Sequence, residues 1–390
     1  MKYVNIDEFK KIKEEIKDQK ILAIFHAEWC SYCKIFLPII LKKIKEKNLE
    51  NNEYIYFVDI GDYYSDVWKE TGNTTWFLEV VPTTRIYYNN HLIKDLNNVL
   101  DDKTIVELLN FFTSKYLLSS NIHSHTVYCN HSDNEPEKLV KYAKESGFKE
   151  FTISEHIPYP IPDKARPSLE SWNNLLATLK NLKDKYEDEK FKLYISIEAE
   201  YYKDDYNYYL EFLKNYDLDF MIFGNHHYKS AMDYFDIYKV SDKKEMLNAH
   251  IEQAIDGMKS GLFFHIAHPD MVLRYLKEWN QEIENKFQKL IDVAIENDIT
   301  LGFNVNGCYI KNKKNIENDL HYPSFYFWKL VANSNAKVRI ELDIHEFKMF
   351  DKNIINDAYI QAISWGLQNN IVDQISLEEI DKIKKIKKNN

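Results

Sequence analysis

Seven histidines and two carboxylates recur along residues 121–345, and each falls at or just after the end of an apolar segment that reads as a strand. They are His123 and His125, His131, His156, Glu198, His227, His268, and Asp343 with His345. Residues i and i+2 on a strand share a face, so His123/His125 and Asp343/His345 can each point as a pair to one place. Candidate strands end at His123/His125, Ile153, Glu198, Gly224, His268, Asn306 and Asp343, with helical stretches such as Glu135–Ser146 and Asn280–Asn297 between them. Seven strand ends separated by crossovers predict a barrel-like parallel sheet with its chemistry at the C-terminal ends of the strands. If that barrel closes, all nine side chains meet on one rim. Neutral imidazole and carboxylate together suit zinc, iron or manganese. Nine ligands exceed one tetrahedral site, so two or three divalent ions are expected. Clustered ions of this kind activate water and hold phosphate oxygens.

Residues 1–117 have a different pattern. A helix is expected near Ile6–Asp18, a strand over Ile21–Phe25, a C-x-x-C turn and a long helix to about Lys47. Strands over Tyr54–Ile60 and Thr84–Tyr88, a hairpin turn at Asn89-Asn90 and a closing helix over Lys103–Tyr116 follow. This is an α/β pattern, and the chain divides into residues 1–117 and 118–390. Cys30 stands at the start of the long helix, where the helix dipole stabilises a thiolate, so it is the expected attacking thiol and Cys33, one turn on, the resolving one.

Charge and composition narrow the partners. The chain has 390 residues and net charge −10, of which residues 1–118 hold −2 and the remainder −8. Neither part has the basic footprint that nucleic-acid binding needs. No apolar run reaches membrane-spanning length. Asp7 and Glu8 near the start do not fit a signal peptide, and four cysteines, two of them in C-x-x-C, suit a reducing cytoplasm. Only four residues are arginine, in a chain that otherwise uses lysine: Arg85, Arg166, Arg274 and Arg339. A surviving arginine suggests a need for a planar, bidentate donor. Arg166 lies in a loop with Pro158, Pro160, Pro162 and Pro167, ten residues after His156, and Arg274 follows His268 by six. Both are expected over the rim as substrate-binding groups.

Two family resemblances follow from these residues. The run Ala27-Glu28-Trp29-Cys30-Ser31-Tyr32-Cys33-Lys34, with Pro38 behind it, resembles thioredoxin over residues 1–115, and Val81-Pro82-Thr83 falls where that family places its cis-proline. The dipeptide between the cysteines is Ser-Tyr rather than Gly-Pro. Ile24 stands where the family carries a buried acid, which removes the expected proton relay for Cys33. The strings Asn121 to His131, Ser154-Glu155-His156-Ile157-Pro158, Ile197-Glu198-Ala199-Glu200, Asp219 to Tyr228 and Asp343-Ile344-His345 resemble the histidinol-phosphatase branch of the polymerase-and-histidinol-phosphatase (PHP) family. Here Glu155 replaces the family's usual Asp, and Leu342-Asp343-Ile344-His345 its common Ser-Asp-Ala-His.

The second resemblance implies a distorted (β/α)7 barrel with up to three metals and a small phosphorylated substrate, L-histidinol phosphate first. It assigns His123, His125, Glu198 and Asp343 to one ion. Glu198 bridges to a second held by His227 and His268, with His226 as the alternative to His227. His131, His156 and His345 take the third. Glu198, Asp343 and His227 are thus the expected catalytic centre, beside Cys30 and Cys33. The thioredoxin resemblance implies a thiol–disulfide partner. Two alternatives stand beside this function: a phosphatase or phosphodiesterase on another small substrate, and a thiol–disulfide oxidoreductase in which the barrel is secondary.

Overall fold

The computed structural model describes residues 1–61, 78–98, 101–158, 165–230, 233–236 and 241–389. Pro160 and Pro162 of the proline-rich loop lie outside the described residues. Two compact units emerge, Met1–Leu117 and Leu118–Asn390.

The first unit runs β1 (Lys2–Asn5), α1 (Ile6–Glu15), β2 (Lys20–His26), α2 (Ser31–Glu46), β3 (Ile55–Asp59), β4 (Thr83–Tyr88), β5 (His91–Asn97) and α3 (Asp102–Thr113). Its sheet order is β1-β3-β2-β4-β5, parallel on the β1 side and antiparallel on the β5 side. β2 is central and apolar on both faces. Ile21, Ala23 and Phe25 pack into the cluster that holds Cys30 and Cys33, while Leu22 and Ile24 pack with Phe36 and Ile40 of α2. The fully buried Ile24 is therefore in the other of the two clusters from the cysteines. Asn89 and Asn90 take φ of 47° and 67°, the left-handed pair that a two-residue hairpin turn requires. α3 stops three residues before the expected Tyr116 because Lys20 Nζ takes the carbonyls of Phe111, Ser114 and Tyr116 at 2.7, 3.0 and 2.8 Å. A buried ammonium thus ends the helix by claiming its last acceptors.

The second unit runs β6 (Ser120–Asn121), α4 (Pro136–Glu145), β7 (Glu150–His156), α5 (Leu169–Tyr186), β8 (Lys192–Ala199), α6 (Tyr206–Asn215) and β9 (Phe220–Phe223). A hairpin of β10 (His227–Ser230) and β11 (Asp233–Asp236) follows. The chain then continues through α7 (Lys243–Lys259), β12 (His265–Ile266), α8 (Gln281–Glu296), β13 (Thr300–Asn304), α9 (Val305–Lys313), α10 (Phe325–Ala332), β14 (Val338–Glu341), α11 (Lys352–Ser364) and α12 (Leu377–Asn389). The seven-stranded sheet has the order β6-β7-β8-β9-β12-β13-β14, and every pairing in it is parallel. A parallel bridge between Ser124 and Ile344 joins its two edges, with His125 N–H to Ile344 O at 3.0 Å and Asp343 N–H to His123 O at 2.9 Å. The sheet is thus a nearly closed barrel, as the (β/α)7 expectation required.

Helices between the strands bury one stripe each. α5 hides Trp172, Leu175, Leu176, Leu179 and Leu182, the i, i+3, i+4 spacing of an amphipathic helix. On β7, Thr152, Ser154 and His156 share a face, as do Ser196 and Glu198 on β8. These polar faces lead to one end of the barrel. Among the described residues no helix is long and apolar enough to cross a membrane.

Candidate metal centre

The edge-joining segments carry the first ligands. His123 and His125 flank the bridging Ser124, and both are wholly buried. Their Nε2 atoms lie 3.0 Å apart. Each is 3.4 Å from Glu198 Oε2 and 3.4 Å from Asp343 Oδ1. Four donors around a zinc-like ion at about 2.0–2.1 Å form a tetrahedron with edges of about 3.3–3.4 Å. The four histidine-to-carboxylate distances match that edge, while the two imidazoles stand closer, at 3.0 Å. Asp343 takes φ of 48° and His268 of 34°, left-handed backbone in non-glycine residues. Such conformations are costly and concentrate at functional sites.

Glu198 faces two ways. Its Oε2 meets His123 and His125, while its Oε1 lies 3.0 Å from His268 Nε2 and 3.6 Å from His226 Nε2. Here the geometry departs from the sequence assignment, because the chain brings His226, not His227, to Glu198. Neighbouring side chains at a strand start point to opposite sides. Glu200 pins that turn by accepting the backbone N–H of His226 at 2.9 Å and of His227 at 3.1 Å. His226 Nδ1 also lies 3.0 Å from Glu200 Oε1, whereas His227 Nδ1 is 3.5 Å from it.

His131, His156 and His345 form the third group. His131 has ring centroids 5.5 Å from His156 and 4.6 Å from His345. His125 closes the group from below, at 4.4 and 4.3 Å from His156 and His345. His131 Nδ1 donates to Cys129 O at 2.8 Å, which leaves its Nε2 for a ligand. The remaining histidines pack: His250 Nε2 meets Pro269 O at 3.0 Å, His321 Nδ1 meets Tyr322 O at 2.8 Å, and His265 lies between Thr300 and Glu341.

Three further carboxylates, unassigned from sequence, orient these imidazoles. Glu341 lies 3.0 Å from His123 Nδ1, Glu155 3.3 Å from His125 Nδ1, and Glu200 takes His226 Nδ1. A carboxylate on the far ring nitrogen fixes tautomer and direction in metal sites. The signal for two of them was present as acids two residues apart, Glu198 with Glu200 and Glu341 with Asp343; Glu155 directly precedes His156. Two of the nine glycines make room for this. A Cβ at Gly224 would lie 2.1 Å from Glu198 Oε1, and one at Gly302 would lie 2.5 Å from the Glu341 carboxylate.

Burial would raise all five carboxyls. Instead the donors and imidazoles around them hold Glu155 down at about 2 and Glu198, Glu200, Glu341 and Asp343 well below the usual carboxylate range. Burial opposes charge on His123, yet Asp343, Glu198 and Glu341 lift it to about 10. Burial and the neighbouring His125 push His156 well down. This concentration of buried negative charge calls for positive charge at the rim, which a divalent ion would supply.

A cavity of about 650 Å³ opens over the cluster, walled by Met271, Arg274, Asn306, Tyr309, Lys313 and Tyr322. Arg274 lies 4.9 and 5.2 Å from the ring centroids of Tyr275 and Tyr322. Arg166 also borders the cavity, but its Nη2 is held by Glu200 at 2.7 Å.

In the first unit Cys30 caps α2, and its Sγ accepts Cys33 N–H at 3.1 Å and lies 3.3 Å from Val81 O. The Val81–Pro82 peptide is cis. Burial and the bond to Cys30 push the Cys33 thiol up to about 12.

Residues 121–306 match the family model of the PHP domain, and residues 1–110 match that of thioredoxin. The chain thus joins a thioredoxin domain to a PHP domain. No curated protein sequence matches it. Among solved structures it is similar to a proposed histidinol phosphatase from Listeria monocytogenes, at 18% identity over 60% of this chain and 97% of that one, TM-score 0.50. A histidinol phosphate phosphatase from Lactococcus lactis, solved with zinc, L-histidinol and phosphate, is 16% identical over 70% of this chain and 93% of that one, TM-score 0.43. Thioredoxin f2 from Chlamydomonas reinhardtii is 23% identical over 29% of this chain and 96% of that one, TM-score 0.23. At 18% identity the first of these likenesses bears on fold alone.

Gly224→Ala tests the geometry of the centre. The added methyl must displace Glu198, so the variant should fold but lose most of its bound divalent metal, read by elemental analysis after gel filtration. Metal content equal to wild type would show that Glu198 is not held where the structure puts it.

Proposed function

We propose that the PHP domain is a metal-dependent phosphomonoesterase acting on a small phosphate ester, with L-histidinol phosphate the first substrate to test. The observation that carries this is the convergence of His123 and His125, each 3.4 Å from both Glu198 and Asp343. In this proposal those four hold one ion, Glu198 bridges to a second with His226 and His268, and His131, His156 and His345 hold a third. Zinc, iron and manganese all suit such nitrogen and oxygen donors. Divalent ions bound here supply Lewis acidity, making water nucleophilic at neutral pH and neutralising phosphate charge.

The chain's own residues do the rest. Glu341, Glu155 and Glu200 keep the imidazole lone pairs aimed. Arg274 presents a planar donor from the cavity wall to the substrate, and Tyr309 and Tyr322 offer its organic part a face. Arg166 is spent on Glu200, so it acts as a brace for His226 rather than as a grip on phosphate. L-histidinol phosphate enters through the motifs shared with the histidinol-phosphatase branch. The acidic balance of the PHP domain argues against a nucleic-acid substrate. The thioredoxin domain adds thiol–disulfide exchange with Cys30 as attacking thiol, supported by its place at the start of α2.

The 390-residue chain should carry about two to three divalent ions and hydrolyse L-histidinol phosphate. His226→Ala should release metal, and His227→Ala should keep it. Less than about one ion per chain, or a metal loss confined to His227→Ala, contradicts the assignment.

Arg274→Lys should leave metal content unchanged and lower kcat/KM by roughly 10- to 100-fold, equivalent to about 1.4–2.7 kcal/mol. Wild-type kinetics in this variant would remove Arg274 from the substrate's contacts.

Burial pushes the thiols of Cys129 and Cys33 up to about 12 and also raises that of Cys308. Cys30 should therefore alkylate first at neutral pH, as mapped by mass spectrometry. Labelling of Cys129 or Cys308 ahead of Cys30 would refute this.

A further inference from the structure

The carboxylate of Glu341 is saturated with donors. Its Oε2 lies 3.0 Å from His123 Nδ1 and 2.9 Å from His265 Nε2. Its Oε1 accepts the backbone N–H of His268 at 2.8 Å and Asn304 Nδ2 at 3.0 Å. An ionised carboxylate can only accept. Both imidazoles must therefore donate to it. His123 donates from Nδ1, which leaves its Nε2, on the side of Glu198 and Asp343, as the nitrogen for a ligand. His265 carries its proton on Nε2 and is left with Nδ1 as an acceptor.

The same logic continues away from the metal centre. Thr300 Oγ1 lies 2.8 Å from His265 Nδ1. It also accepts Arg339 Nη1 at 2.9 Å. A guanidinium has donors only, so that bond has one direction. The hydroxyl keeps its own proton for His265 Nδ1, because its other acceptor, Phe264 O, is more distant at 3.3 Å. Arg339 is fixed in turn by two parallel bonds to Glu379 of α12, at 2.9 and 2.8 Å. His265 and Thr300 open β12 and β13, and Arg339 is the second residue of β14. The line therefore starts at the end of the barrel opposite the metal ligands, and every member is buried.

We propose that Glu379–Arg339–Thr300–His265–Glu341–His123 is a one-way hydrogen-bonded line that sets the tautomer of His123 from the far end of the barrel. His265, Thr300 and Arg339 are its positioning residues. The proposal rests on His123 being a metal ligand. Losing an outer partner of a metal-bound histidine typically costs 10- to 100-fold in metal affinity. Thr300 is two bonds further out than Glu341, so the lower end, about 10-fold, is expected.

The test uses the 390-residue chain. With histidine labelled in 15N, and the His265 signals identified by their loss in His265→Gln, wild type should show His265 protonated on Nε2. Thr300→Val removes only the hydroxyl. It should lower affinity for the tightest-held ion about 10-fold in competition with a chelator, and Thr300→Ser should restore it. The line is overturned if His265 carries its proton on Nδ1 in metal-holding wild type. It is equally overturned if Thr300→Val binds metal like wild type, or if Thr300→Ser is as weak as Thr300→Val. Should Thr300→Val fail to fold, the wild-type tautomer still decides. A wild-type chain that holds no ion overturns the metal assignment itself, and the line's role falls with it.

Discussion

Five carboxylates buried at one end of a barrel dominate the energetics of this molecule. Glu155, Glu198, Glu200, Glu341 and Asp343 are each almost fully removed from solvent. Even after relaxation, a buried unpaired ion costs several kcal/mol. Three of them are met by imidazole N–H groups, backbone N–H groups and, for Glu200, the guanidinium of Arg166. Glu198 and Asp343 both face the Nε2 atoms of His123 and His125, each at 3.4 Å, so four potential ligands converge where a cation would be held. Much else in the second unit serves it: the left-handed backbone at His268 and Asp343, the two glycines beneath the carboxylates, and the closure of the sheet through Ser124 and Ile344.

The closure deserves the same physical account. β6 pairs over only two residues before the chain turns its next three to the rim. A longer first strand would carry His123 and His125 past Asp343. The bridge at Ser124 and the bonds His125 N–H to Ile344 O and Asp343 N–H to His123 O lock the histidine pair to the aspartate in register. Barrel closure and assembly of the first ligand set are thus one event, and metal binding should favour the closed barrel by mass action.

Much of this was legible in the sequence, since ligand-type residues at strand ends spaced by helices force one geometry. The barrel and the PHP resemblance followed from those residues, and the thioredoxin resemblance from the C-x-x-C run and Val81-Pro82-Thr83. What was not legible has identifiable causes. The adjacent pair His226-His227 cannot be ordered without knowing where β10 begins, and a one-residue shift reverses which ring faces Glu198. Glu341 carried a signal, two residues before Asp343, but its role depends on the space above Gly302 in a neighbouring strand. The rare arginines were singled out as planar, bidentate donors; Arg339 alone grips its buried partner Glu379 through two bonds, while Arg166 pairs with the buried Glu200 and Arg85 with the surface Asp95. Arg274 stands on the cavity wall beside Tyr275 and Tyr322. In the first unit the C-x-x-C turn was plain from sequence, whereas the packing of Ile24 away from the cysteines depended on strand alternation.

The central claim is that His123, His125, Glu198 and Asp343 enclose a divalent ion. Crystals of the 390-residue chain grown with zinc, with diffraction recorded on both sides of the zinc absorption edge, test it most directly. The account predicts an anomalous difference peak within about 2.0–2.2 Å of His123 Nε2, His125 Nε2, Glu198 Oε2 and Asp343 Oδ1. A featureless map between those four atoms, with zinc bound elsewhere on the chain or not at all, would contradict it.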